Sequence, residues 1–361
     1  MSNAGRASIL TINEPLGRLL FAGELWHGST GEALAAGLRD EGWLVAEMDL
    51  FHFFDRGRSP ISRAMQRLAS PLSAANHNAA ILEAVAQLRP QALVTVKGTG
   101  ITPATLDKIR RLGCRSLNFY PDVEFEHFGT GRERLTAYDH IVSTKRFHRA
   151  ALDDLVGQER HSHLPHGYNP LVHRDHAPES EDGYRWDVSF IGNYSAHKHA
   201  LLDALVEGLG GAARLAVIGN GWKTAAAGTP LSPWVLGHAL IGDYYAEALG
   251  RSKINIALHH GPVGAAGWED AVSTRTFEIP ACGGFMLHVD NDEVREFYEP
   301  GTEIATFVDG GDLVAKVSKY LADATRRRTM AKAGCLRAVP AYSYGVRARA
   351  LSQILQRMGR P

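Results

Sequence analysis

The chain has 361 residues, 45% of them hydrophobic and 22% charged, with a formal net charge of zero. That composition excludes a disordered chain, and the length suits two α/β cores better than one. A zero balance argues against a nucleic-acid partner, whose phosphates ask for a basic domain. Three widely spaced cysteines form neither a disulfide framework nor a zinc knuckle, so a reducing cytoplasm is expected. No run of about 18 apolar residues suggests a membrane span, which leaves at most peripheral membrane contact.

In chain order, the first half alternates short apolar runs with amphipathic stretches. Residues 18–24 read as a strand, 29–40 as a helix and 43–50 as a strand. A helix over 74–88, a buried strand over 92–97, a helix over 103–112 and strands over 115–120, 140–144 and 160–166 follow. Thr102 caps the third helix and Pro103 occupies its first turn, where a missing N–H costs nothing. Continuous apolar runs between helices predict a parallel sheet covered on both faces. The text HGYNPLVHRDHAPESEDGY at 166–184 has no periodicity and reads as a linker.

Beyond it the same grammar restarts. Strands are predicted at 187–193, 214–220, 253–259 and 284–289, and helices at 197–209, 244–249 and 275–282. The expectation is therefore two tandem Rossmann-like, doubly wound α/β domains, at 1–165 and 185–340, facing a central cleft. A C-terminal amphipathic helix in 341–361 would return to the first domain.

Residues 268–303 carry the chemistry. Two acids, Glu269 and Asp270, lie in a loop that enters a helix, which ends at Gly283-Gly284 before an apolar strand. A helix start at a strand's carboxyl end suits an anion, because free N–H groups and the helix dipole converge there. Ser273 and Thr274 are candidate caps. Arg275 in the first turn can fork onto a diphosphate, and Glu278, one turn on, can accept two ribose hydroxyls. The same Arg and Glu also read as a solvated i, i+3 ion pair, and spacing alone leaves both readings open.

The runs RTFEIPACGGFML (275–287), PGTE (300–303), DLVAKVSKYLAD (312–323) and YSYGVRARALSQIL (342–355) resemble the spore-maturation CgeB-like glycosyltransferase family. So do DVSFIGNYS (187–195) and LPHGYNP (164–170). That family sits in the glycosyltransferase group 1 superfamily, of GT-B fold. The resemblance implies transfer of a sugar from a nucleoside-diphosphate donor, with UDP or dTDP as carrier, to a glycan, lipid-linked or protein acceptor. It implies that Glu278 holds the ribose, that Arg275 and Thr274 meet the phosphates, and that Gly283 and Gly284 belong to the donor-binding set. Asn193, Gly219 and Lys223 would line the nucleotide side, and His166 would lie near the cleft. Many retaining relatives place a glutamate eight positions before the ribose-binding one. Here that position is Asp270, a departure, which the resemblance puts beside the donor sugar.

Breaking a sugar–phosphate bond leaves charge on the diphosphate, which cations or aimed dipoles must stabilise, while a base takes the acceptor proton. No acidic pair demands a metal, and neither a metal nor a cofactor is expected. His27 and Asp122, at predicted strand ends of the first domain, are the candidate bases; a solvated loop histidine and a Pro-Asp turn residue are the plainer readings. The remaining histidines, His161, His163, His197, His199, His259 and His260 among them, lack carboxylate or cysteine partners at ligand spacing. Arg56, Arg58, Arg63 and Arg67 could steer an anionic acceptor or touch a membrane, and a solvated basic loop explains them as well. A non-catalytic nucleotide or sugar binder and a nucleotide-sugar epimerase are the rival functions.

Overall fold

The computed structural model describes residues 14–54, 60–126, 131–264 and 266–358, with the side chains of 60–69 left out. Arg56 and Arg58 lie outside the described residues, as do the side chains of Arg63 and Arg67.

The first domain runs β1 (Gly17–Gly23), α1 (Thr30–Asp40), β2 (Trp43–Asp49), α2 (Pro60–Leu88), β3 (Ala92–Val96), α3 (Pro103–Arg111), β4 (Arg115–Tyr120), α4 (Arg132–Thr136), β5 (His140–Ser143), α5 (His148–Val156) and β6 (His161–His163). Its strands form one parallel sheet of order β2-β1-β3-β4-β5-β6. The all-buried runs of β3 and β5 follow from helices on both faces. Thr102 caps α3 through its side chain, with Pro103 at the first position, as the sequence indicates.

The second domain runs β7 (Trp186–Ile191), α6 (Ala196–Leu209), β8 (Leu215–Ile218), α7 (Trp222–Ala225), α8 (Gly242–Gly250), β9 (Ser252–Ala257), α9 (Thr274–Ala281), β10 (Met286–Val289), α10 (Asp292–Phe297), β11 (Ala305–Phe307), α11 (Gly310–Ala322) and α12 (Ala324–Ala341). Its parallel sheet has the order β11-β10-β9-β7-β8. The last helix, α13 (Tyr344–Met358), returns to the first domain and buries Tyr344, Ala348, Leu351 and Leu355 in the core beneath α1. Gly37 of α1 is required there, because a Cβ would stand 2.7 Å from that of Ala348.

Two differences from the sequence reading have physical causes. The stretch 166–184 is no free tether: Tyr168 and Val172 are buried against the second domain's core, and Tyr168 N–H donates to Tyr342 O at 3.1 Å. Its Pro and Gly signal irregular backbone, which need not be solvated backbone. The helix α12 went unread because its Ala- and Arg-rich face carries few large apolar residues, although Met330 and Ala338 are buried.

In open α/β sheets ligands bind where the strand order reverses. Here those points are the carboxyl ends of β1 and β3 in one sheet and of β7 and β9 in the other. No helix among the described residues is long and apolar enough to cross a membrane.

Candidate active site

At the β7/β9 switch point the chain leaves β7 at Gly192 and β9 at Leu258, and the start of α9 faces both. The Thr276 hydroxyl accepts from the Ser273 N–H at 3.1 Å, which fixes the first turn. Arg275, one residue into the helix, donates from Nη2 to Leu258 O at 3.0 Å, and its guanidinium lies 5.8 Å from the centre of the Phe190 ring. Its Nε is buried with no partner among the described residues. Gly219 is obligatory: its φ is +151°, and a Cβ there would stand 2.1 Å from Gly192 O.

A second cation comes from α6, whose N-cap is Ser195. Lys198 is 3% exposed and donates from Nζ to Asn193 O at 3.0 Å. Burial, and then the Arg275 charge, lower its pKa to about 8. Opposite, Glu278 is 8% exposed and accepts from the Tyr245 hydroxyl at 2.7 Å. Asn193, Gly219, Thr274, Arg275 and Glu278 line one cavity of about 310 Å³, together with Trp26 from the first domain. Gly28 and Gly242 close that wall, since a Cβ on Gly28 would lie 3.1 Å from Gly242 Cα.

Asp270 is held from the other domain. Lys145, just past β5, is 5% exposed and its Nζ lies 2.5 Å from Asp270 Oδ1. Lys145 Nζ also reaches His166 Nε2 at 3.3 Å, and the Thr144 hydroxyl lies 3.1 Å from the same nitrogen. Burial, and then Lys145, push the His166 pKa well down, so the ring is neutral and accepts from the ammonium. His166 therefore sits beneath the ion pair and does not line the cavity.

Neither candidate base lines the cavity. Asp122 pairs with Lys97 at 3.3 Å at the β3 end, where Lys97 takes a left-handed backbone with φ +66°. His27 sits exposed on the rim, its Nδ1 3.3 Å from Glu32 and its Nε2 3.2 Å from Asp243 of the second domain. Its hydrogen bond to Glu32, against the cost of burial and helped by the one to Asp243, raises its pKa. Lys223 is exposed at the start of α7, outside the cavity. Gly283 and Gly284 require a correction, for they lie past the far end of α9, away from the helix start that meets the cavity. A Cβ on Gly283 would lie 2.1 Å from Asp175 Oδ1, and one on Gly284 2.9 Å from Leu249 O. These glycines let α9 turn tightly into β10 and do not line the cavity.

The sequence reading missed Lys198, Lys145, Lys97, Tyr245 and Trp26. Lys198 was accessible in principle, because Ser195 at the cap and a lysine three positions on place a cation at a helix start beside a strand end. Lys145 was not, since its partner is 125 positions away (270 − 145).

Residues 197–353 match the family model described as glycosyl transferase-like. A comparison with curated proteins finds no significant match. Among solved structures, the sucrose-phosphate synthase of Thermosynechococcus elongatus is 13% identical over 94% of this chain and 98% of its own, with a TM-score of 0.63. Anabaena HepE, solved in complex with UDP, is 13% identical over 94% of this chain and 100% of its own, at 0.56. A putative UDP-N-acetylglucosamine 2-epimerase from Listeria monocytogenes is 12% identical over 94% and 96%, at 0.54. At such identities the likeness establishes the architecture, which is GT-B.

Proposed function

We propose, from a GT-B frame whose C-terminal half is glycosyltransferase group 1-like, that the chain moves a sugar from a nucleoside-diphosphate donor to an acceptor hydroxyl. The observation that carries this reading is an unbalanced buried charge. Lys198, Arg275 and Lys145 converge near the start of α9 against two carboxylates, Asp270, which pairs with Lys145, and Glu278, which accepts from Tyr245. A site holding more cation than anion, beside a helix N-terminus, is made for a ligand that brings negative charge. A diphosphate does so, and carries a ribose whose two hydroxyls Glu278 can accept.

In this reading the sugar–phosphate bond breaks with its electron pair passing to the diphosphate. Arg275, Lys198 and the α9 dipole stabilise that charge without a metal. Asp270 stands by the donor sugar. The acceptor, a glycan, lipid-linked glycan or protein, enters from the first domain, where Asp122 or His27 takes its proton once the cleft adjusts. UDP is the favoured carrier, supported by the complexes of the HepE neighbour with UDP and UDP-glucose, with dTDP next. The CgeB-like affiliation belongs to the same proposal, supported by RTFEIPACGG at 275–284.

A thermal-shift series with UDP, dTDP, GDP, ADP and CMP tests it, since a ligand of the native state alone raises Tm. One nucleoside diphosphate should stabilise the protein; indifference to all of them would defeat the proposal. The epimerase-like neighbour gives weight to a second reading, which product analysis separates: an isomerised nucleotide sugar formed without acceptor identifies an epimerase. A protein that binds nucleotide and never cleaves the donor is a binder.

A further inference from the structure

The loop between β9 and α9 belongs to the second domain by sequence, yet its middle is embedded in the first. Val263 and Trp268 close a short hairpin, Val263 N–H to Trp268 O at 2.8 Å and Trp268 N–H to Val263 O at 3.1 Å. The Trp268 ring then packs against three rings of the first domain: Phe125 at 5.1 Å and 70°, His148 at 4.9 Å and 66°, and Phe147 at 5.8 Å and 31°. The hairpin also touches Glu124, whose Oε1 would lie 2.9 Å from a Cβ on Gly264.

The rings of the socket are held by partners of their own. His148 is fully buried, and burial brings its pKa down to about 4, so it is neutral. Its Nε2 donates to Val123 O at 2.7 Å, which leaves Nδ1 to accept from the Ser143 hydroxyl at 2.8 Å. Both nitrogens are occupied and the ring cannot turn. Phe125 is held in turn by Tyr120, at 5.7 Å.

Lys145, the partner of Asp270, lies between Ser143 and His148 on the same first-domain segment. Residues 143–148 thus grip residues 268–270 at both ends, one by aromatic packing and one by an ion pair. On the donor side Asn291 Nδ2 donates to Ala271 O at 2.9 Å, which ends the loop on the second domain just after Asp270.

We propose that residues 266–272 form a strap by which the first domain positions Asp270: Trp268 seats it, Lys145 orients the carboxylate, and the site is complete only when the cleft is closed. The residues expected to bind the nucleotide, Glu278, Arg275 and Lys198, all belong to the second domain and do not depend on the strap. Trp268 is a positioning residue, since it touches no reacting group. The inference rests on the glycosyl-transfer reading and deepens it.

The test compares wild type with Trp268→Ala and Trp268→Phe in three measurements. Hydrogen exchange on the free protein reads the strap alone: 121–126 and 143–148 should exchange faster in Trp268→Ala and regain protection in Trp268→Phe. UDP affinity by calorimetry should stay within about two-fold in both variants. Turnover, followed as nucleoside diphosphate released from whichever of UDP-glucose, UDP-N-acetylglucosamine and dTDP-glucose the wild type consumes, should fall at least about ten-fold in kcat for Trp268→Ala, with partial rescue by Trp268→Phe. Unchanged exchange, unchanged kcat, or a fall in UDP affinity parallel to kcat would each overturn the strap. If the wild type binds none of UDP, dTDP, GDP, ADP and CMP, the glycosyl-transfer reading fails, and exchange still decides the strap.

Discussion

Lys198 is buried within reach of the Arg275 charge, and both cations stand over the Phe190 ring, so its own charge is held against the cost of leaving water. Its folded pKa of about 8 lies below the ordinary 10.5. The folded state therefore binds fewer protons than the unfolded state between those values, and without ligand this group's penalty is relieved as pH rises from 8 to 10.5. A diphosphate reverses the preference. Calorimetry of UDP binding at pH 8 in buffers of different ionisation enthalpy should show uptake of about half a proton, the unprotonated fraction when pH equals pKa. Lys198→Met should abolish the uptake, and UDP affinity of the wild type should decline above pH 8. A pH-independent affinity would remove Lys198 from the phosphate site.

Glu278 is tied into the site by the Tyr245 hydroxyl. Substitution by alanine would strand the Tyr245 hydroxyl, whose hydrogen bond to Glu278 measures 2.7 Å, and so confound binding with stability. Glu278→Gln keeps an acceptor for Tyr245 and removes the charge. UDP affinity should fall roughly 10- to 100-fold, the scale of charge-assisted bonds of about 1.5–3 kcal/mol, while urea unfolding shifts little. Affinity equal to wild type would refute ribose binding. Arg275 and Glu278 were legible in the sequence because one helix start carries both. Gly283 and Gly284 follow the last turn of α9, off the cavity; a motif does not say which end of its helix meets the cavity.

At the scale of elements, the β8–α7 turn shows how closely two backbones approach at the switch point. Trp222 donates from Nε1 to Gly192 O at 2.7 Å, the same carbonyl that a Cβ on Gly219 would strike. Gly219→Ala should therefore push the turn outward, costing about 1–3 kcal/mol in urea unfolding and weakening UDP binding together. A variant as stable as wild type with normal affinity would show that the turn relaxes freely. The strands other than the three-residue β11 were readable because buried parallel strands are largely apolar runs, as in LVTV of β3 and FI of β7. Helices lacking a large apolar stripe, such as α12, and irregular segments buried by their own side chains, such as 166–173, carry no such period.

At the scale of the whole molecule, the two domains are joined by groups that no local pattern pairs. Lys145 meets Asp270, Arg146 forks onto Glu296, and His27 meets Asp243. The helix α13 was legible from its amphipathic run, and its return to the first domain from the fold that the resemblance implied. Leu351, Ile354 and Leu355 are each at most 7% exposed, and Ser352 accepts from Trp43 Nε1 at 2.9 Å. Large apolar side chains contribute roughly 1.5–3 kcal/mol each on burial, so three of them approach the whole stability of an ordinary domain, about 5–15 kcal/mol. A chain ending at residue 342 should thus lose the first domain as a cooperative unit while the second, whose sheet and core lie before that point, persists. Limited proteolysis should degrade residues 14–163 rapidly and leave a fragment beginning near residue 166. Because Glu278, Arg275 and Lys198 all lie in that fragment, it should still bind UDP, though without turnover, since Lys145 and the Trp268 socket are gone. Protection of the first domain in the truncated chain would mean that the α1 face is stable without α13, and that the returning helix serves only to hold the domains together.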